Sequence, residues 1–176
     1  MPVLLSIWNL SIRKAVMIME FLSNSPEDTE DIGRILGSIA QRGYIVCLEG
    51  ELGAGKTQFA KGFAKGLGIN EHITSPTFTI INEYNGRIPL YHFDAYRIND
   101  VEEMYEIGCD EYFFGEGVCL IEWANLIEDI IPKENIKISI SKDMEQGVYF
   151  RKITLETSGE KYEPVCRKII EKWDIA

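Results

Sequence analysis

Basic residues are in short supply: 18 Lys and Arg stand against 28 Asp and Glu in 176 residues, for a formal net charge of −10. A nucleic-acid backbone is held by clustered Lys and Arg that displace its counterions, so strong direct RNA or DNA binding is not expected. Cysteine is sparse as well. Cys47, Cys109, Cys119 and Cys166 are scattered without a C-x-x-C pair, so neither a zinc knuckle nor a disulfide framework is indicated, and a reducing cytoplasm fits. No internal repeat or low-complexity linker divides the chain. The N-terminal stretch "MPVLLSIWNLSIRKAVMIMEF" is apolar but too short and interrupted to span a bilayer. Its basic pair Arg13–Lys14 follows the apolar run, whereas a signal peptide puts the charges first. Residues 1–16 therefore read as a peripheral extension that adds little to the fold. Residues 17–176, with a 45% apolar composition over the chain, suffice for a single domain with a real core.

What the chain does have is a regular alternation of helix and strand signals. Ser25-Pro26-Glu27-Asp28 combines a capping residue, a proline at the first helical position and an acid three residues after the cap. Ile32, Ile35, Leu36 and Ile39 follow at helical spacing, which predicts a helix from about Pro26 to Gln41. The apolar run Tyr44–Leu48 predicts a strand buried on both faces. Gln58–Leu67 predicts a helix with Phe59, Phe63 and Leu67 on one side. Further strands are expected in "FTIINEY", "IPLYHFD", "VCLIEW", "IKISI" and "VYFRKITLE", with hairpins at Asn85-Gly86 and at "KDMEQG". Val165, Ile169 and Trp173 mark a C-terminal amphipathic helix. The fold class that follows is α/β, with a mixed, largely parallel central sheet and antiparallel additions.

Between the predicted buried strand and the next helix lies Gly50-Glu51-Leu52-Gly53-Ala54-Gly55-Lys56-Thr57, which fits G-x-x-x-x-G-K-[ST] in full. The glycines let main-chain N–H groups turn toward phosphate oxygens, and the helix that follows points its partially positive end at them. Lys56 is placed to neutralise the β- and γ-phosphates and the Thr57 hydroxyl to ligate Mg²⁺. A GTPase would also carry D-x-x-G and N-K-x-D, and neither string occurs. ATP is the nucleotide expected.

An NTPase needs an acid at a strand end beside this loop, and Glu122 and Asp94 both qualify. Thr74-Ser75-Pro76-Thr77 lies where switch segments sense a γ-phosphate, although alone it is only a turn. His92 alternates with Asp94 on one strand face and is expected as a buried, satisfied imidazole. Arg97 could approach phosphate or pair with a carboxylate, and Trp123 could be core packing.

Taken in order, "EGELGAGKT", "TSPTF", "YHFDAYR", "GCDEYF" and "LIEW" resemble the bacterial TsaE (YjeE) family, the small ATPase of tRNA threonylcarbamoyladenosine biosynthesis. The likeness runs from about Met19 to the C-terminus. It implies a P-loop NTPase-like three-layer fold with ATP and Mg²⁺ as ligands, and slow hydrolysis that matters in a complex. The implied partners are a metal-dependent threonylcarbamoyl transferase subunit and its inactive paralogue, with tRNA engaged only through them. The resemblance places Gly50, Glu51, Leu52, Gly53, Ala54, Gly55, Lys56 and Thr57 on the nucleotide, with Thr77 and Trp123 beside it. It places the metal on Thr57 and Glu122, and gives Lys56, Asp94 and Glu122 the catalytic roles. Ala95, Cys109, Ala124 and Asn125 depart from the residues usual in that family. A small-molecule P-loop kinase and an ATP-binding scaffold that does not hydrolyse are the alternative functions.

Overall fold

The run Ile45–Glu49 forms β3, at the centre of one eight-stranded sheet in the computed structural model, which describes residues 2–11 and 16–173. The other strands are β1 (Val3–Ser11), β2 (Val16–Ser23), β4 (Ile81–Tyr84), β5 (Leu90–Asp94), β6 (Val118–Glu122), β7 (Asn135–Lys142) and β8 (Arg151–Ser158). Their order across the sheet is β1-β2-β8-β7-β3-β6-β5-β4. The central pairs β7/β3, β3/β6 and β6/β5 are parallel, while β1/β2, β2/β8, β8/β7 and β5/β4 are antiparallel. This is the α/β mixed sheet expected, with both hairpins where the turn residues put them. The stretch "FTIINEY" contributes less strand than anticipated, because the chain turns through residues 77–79 and pairing starts only at Ile81.

β1 is the outermost strand and joins the sheet through β2 alone. Arg13 and Lys14 lie outside the described residues. β2 is better integrated: it pairs with β8 over its whole length and buries Met19, Phe21 and Ser23. Its alternating pattern fits a strand with one face on the core.

One face of the sheet is covered by helices α1 (Pro26–Ile39), α2 (Lys56–Gly66) and α5 (Glu163–Trp173). Ser25 caps α1 by accepting a hydrogen bond from the Asp28 N–H at 3.1 Å. α1 and α2 meet through glycine. A side chain at Gly33 or Gly37 would strike the main chain of Phe59 or Phe63, and one at Gly62 or Gly66 the main chain of Glu30 or Arg34. Two backbones pressed together leave no room for a methyl group, so α1 fixes the position of α2 and therefore of the loop that precedes it.

The opposite face is covered by the short helices α3 (Glu102–Glu106) and α4 (Cys109–Phe113) and by two 3-10 turns, Ala124–Leu126 and Glu128–Ile130. Met104, Cys109, Phe113, Ala124 and Ile127 pack inward onto Ile45, Cys47, Phe93, Cys119 and Ile121. From residue 98 to residue 132 the chain has ten Asp and Glu and no Lys or Arg. That segment alone equals the net charge of the whole molecule, and the remainder balances.

Candidate functional site

Parallel pairing places the C-terminal ends of β3, β5 and β6 side by side, with Asp94 in register with Glu122 and Glu122 in register with Leu48. Partners in such a ladder point to the same face, so both carboxylates rise beside the loop that leaves β3. Leu52, Gly53, Gly55, Lys56, Thr57, Ser75, Thr77, Asp94, Tyr96, Glu122 and Trp123 line one cavity of about 390 Å³. Most of the site residues expected from sequence are thus gathered there. Gly50, Glu51 and Ala54 belong to the same loop but do not line this cavity.

The loop is held by cations on its outer side. Lys142 Nζ donates to the Leu52 carbonyl at 2.6 Å, and Arg151 donates through Nε to the Ala54 carbonyl at 2.7 Å and through Nη2 to the Gly53 carbonyl at 3.4 Å. These contacts hold the carbonyl side of the loop, and the Ala54 N–H closes a turn onto the Glu51 carbonyl at 3.1 Å. Gly50 permits the turn, since its φ is 150° and a Cβ there would lie 2.6 Å from the Ile140 carbonyl. Gly55, with φ 113°, passes the chain into α2. Nothing in the sequence around Lys142 or Arg151 signals these contacts, made some ninety residues away.

Lys56, only 6% exposed, donates to the carbonyls of Gly50 at 2.6 Å and Glu51 at 3.1 Å. Its ammonium also lies over the Trp123 ring, 3.6 Å from the centroid. Burial pushes its pKa below the ordinary lysine value, against the opposing pull of Glu122 and Asp94. Trp123 is therefore part of this cavity. It adopts a left-handed backbone conformation with φ 59°, which is uncommon for a residue with a side chain. The turn is secured by its N–H to the Leu48 carbonyl at 3.0 Å and by Tyr96, whose ring centre is 5.0 Å away.

The two acids have different company. Asp94 accepts three hydrogen bonds and keeps room for a fourth: Oδ2 takes them from Ser75 Oγ at 2.5 Å and Thr77 Oγ1 at 2.6 Å, and Oδ1 takes one from the Tyr96 N–H at 2.9 Å. The switch-like stretch is thereby tied to the carboxylate. Ile80, at its far end, has φ 67°, a strained value for a β-branched residue, and its carbonyl accepts the Asp94 N–H at 2.9 Å. Glu122 is 2% exposed and places Oε1 2.9 Å from His92 Nε2. His92 is buried as expected but not fully satisfied, because its Nδ1 has no hydrogen-bond partner. Arg97 lies over the Phe78 ring, 4.4 Å from its centre, and is not among the cavity residues.

The oxygen donors fit Mg²⁺. A Thr hydroxyl and a buried carboxylate open on the same cavity, a hard-donor pair of the kind Mg²⁺ combines with phosphate oxygens and water. Among the described residues no group of three or more His, Cys, Asp or Glu could hold a metal unaided. A second cleft, of about 240 Å³, opens on the other side of the loop between Pro26, Thr29, Gly55, Gln58, Tyr149 and Arg151. No helix among the described residues is long and apolar enough to cross a membrane.

Comparison with other proteins gives a consistent result. Residues 23–153 match the family model described as Threonylcarbamoyl adenosine biosynthesis protein TsaE. The chain is 49% identical over 146 residues to the tRNA threonylcarbamoyladenosine biosynthesis protein TsaE of Bacillus subtilis, covering 82% of this chain and 89% of that one. The protein of the same name from Treponema pallidum is 45% identical over 122 residues, covering 69% of this chain and 90% of its own length. A crystal structure of Bacillus subtilis YdiB superposes with a TM-score of 0.76 at 42% identity, over 89% of this chain and 97% of that one.

Proposed function

Because this chain belongs to the TsaE family and serves tRNA threonylcarbamoyladenosine biosynthesis, we propose that it does so as an ATP-binding and ATP-hydrolysing subunit that switches a larger modification complex. The observation that carries this reading is the convergence of the phosphate loop, Lys56, Thr57, Asp94 and Glu122 on one cavity.

The phosphates lie against the inward N–H groups of the loop and the N-terminus of α2. Lys56 exchanges the carbonyls of Gly50 and Glu51 for the β- and γ-phosphates, and its buried ammonium counters the charge that spreads over the transferring group. Thr57 and Glu122 would hold Mg²⁺, which when bound would supply positive charge to offset that of the phosphates. Asp94 orients the attacking water. Because the same carboxylate holds Ser75 and Thr77, loss of the γ-phosphate alters the stretch that precedes Phe78. The purine occupies the smaller cleft on the far side of the loop, with Tyr149 as its aromatic wall.

The partners are the threonylcarbamoyl transferase subunit and its inactive paralogue, which handle the tRNA, and the location is cytoplasmic, consistent with four free buried cysteines. Nucleotide shifts their association only by its differential affinity for the docked and free states. A kinase would aim arginines at the transferring phosphate. Here Arg87 donates to the Gly37 and Ala40 carbonyls, Arg97 covers Phe78, and Arg151 braces the loop.

The decisive experiment mixes the purified chain with the transferase pair and tRNA and follows inorganic phosphate and modified tRNA together. The reading requires phosphate release that depends on the partners. Label transferred to an added metabolite would make the protein a kinase, and repeated rounds of modification with a non-hydrolysable analogue would make it a scaffold.

A further inference from the structure

His92 stands on β5 between Leu90 and Asp94, on the face shared with Leu120 and Glu122 of the neighbouring strand. Leu90 and Leu120 are both fully buried in the apolar core, and His92 itself is 0% exposed. An imidazole in such a place needs a reason, since an aliphatic side chain would fill the space without bringing two polar nitrogens. Only one of the two nitrogens has a partner. Nε2 is 2.9 Å from Glu122 Oε1, while Nδ1 has none. A carboxylate that serves a metal is ionised and can only accept, so in that role the ring carries its proton on Nε2 and donates it.

We propose that His92 is a positioning residue for Glu122: its Nε2–H pins Oε1 and thereby leaves Oε2 as the oxygen that serves Mg²⁺. This rests on the assignment of Glu122 to the metal made above. Outer hydrogen bonds of this kind fix the orientation of a ligand carboxylate and govern metal affinity without touching the metal. What distinguishes the role from ordinary packing is that the ring's polar contact among the described residues is made to Glu122, in a core position where an aliphatic side chain would otherwise serve.

The test titrates Mg²⁺ against binding of a fluorescent ATP analogue, with EDTA as the metal-free reference, in the wild type, His92→Leu and His92→Gln. The leucine variant should bind the analogue in EDTA as the wild type does, yet need roughly 10- to 100-fold more Mg²⁺ for the same gain. The glutamine variant, which keeps an N–H donor, should recover most of that loss. A folded leucine variant with wild-type Mg²⁺ dependence overturns the proposal, as does an equal loss in both variants. If the wild type itself shows no Mg²⁺ dependence, the metal role of Glu122 fails first and the proposal falls with it.

A second measurement needs no variant. The chain has only two histidines, His72 and His92, so nitrogen-15 spectra of the imidazoles resolve them. His92 should be protonated on Nε2 and not on Nδ1, and the Nε2 signal should move when Mg²⁺ is added to the ATP-bound protein. A proton on Nδ1 alone, or an Nε2 signal indifferent to Mg²⁺, rejects the assignment.

Discussion

The Lys56 ammonium rests 3.6 Å from the centre of the Trp123 ring, so the cation expected to meet phosphate and the aromatic residue that closes β6 form one unit. Moving either one disturbs the other. Trp123 should therefore report nucleotide binding. In protein carrying Trp8→Phe and Trp173→Phe, saturating ATP with Mg²⁺ should change the Trp123 emission as Lys56 leaves the ring. Unchanged emission alongside calorimetric binding would mean that the lysine stays where it is.

Lys56 also sets a pH dependence. Burial lowers its pKa from the ordinary value near 10.5, so between the lowered value and 10.5 the unfolded chain binds more protons than the folded one. The Lys56 contribution to the stability of the nucleotide-free protein should therefore rise with pH across that window, against the buried thiols and tyrosines whose raised pKa values pull stability down over the same range. Affinity for nucleotide should fall across it, as the ammonium loses its charge. The melting temperature of the wild type relative to Lys56→Met, and the affinity for nucleotide, should move in opposite directions as the pH is raised above 8, and Lys56→Arg should abolish the fall in affinity. In Lys56→Ala, turnover with the partners should drop on the order of 10²- to 10³-fold.

Asp94 and Glu122 should separate by phenotype. Asp94→Asn keeps an acceptor for Ser75 or Thr77 but removes the charge. It should spare nucleotide binding and slow phosphate release. Glu122→Ala should instead weaken the Mg²⁺-dependent part of binding. Calorimetry with and without Mg²⁺, followed by single-turnover hydrolysis, assigns the two, and the opposite pattern would exchange their roles.

Arg151 grips the loop at the carbonyls of Gly53 and Ala54. Removing a charged hydrogen-bond donor costs about 1.5–3 kcal/mol in sheltered positions, and partial exposure puts Arg151 toward the lower figure. Arg151→Ala should weaken ATP binding about tenfold and lower the melting temperature by only a few degrees. A large loss of stability with intact affinity would show that the arginine serves the β7–β8 hairpin instead.

Gly62 tests the helix pair. Alanine improves helix propensity by up to about 1 kcal/mol, but here its methyl group would meet the Glu30 carbonyl and lie 3.0 Å from the Arg34 nitrogen. Overpacking of that kind costs about 1–3 kcal/mol, and contact with rigid backbone favours the upper end. Gly62→Ala should lower the denaturant midpoint, and an unchanged or higher midpoint would mean that the helices separate easily.

What could be read from the chain beforehand was whatever depends on neighbours in sequence. The phosphate loop is a fixed spacing between a buried strand and a helix, and Asp94 and Glu122 end apolar runs, so both were recognisable. β2 was not, because Val16–Ser23 follows a leader-like stretch and its one-sided burial appears only once β8 lies beside it. α3 and α4 span five residues each, less than a periodic pattern needs to declare itself. Lys142, Arg151 and the unmatched Nδ1 of His92 are products of tertiary contact. Gly33, Gly37, Gly62 and Gly66 were silent for a further reason: by propensity they weaken helices, and only the meeting of two backbones gives them a purpose.

Most of the acidic surplus between residues 98 and 132 is carried by α3, α4 and the 3-10 turn Glu128–Ile130, on one face of the sheet. Ionic screening confines its influence to roughly 8 Å at physiological salt, so it acts at close range, where two bodies choose their mutual orientation. Near any polyanion that face is repelled more strongly than the side formed by α1, α2 and α5.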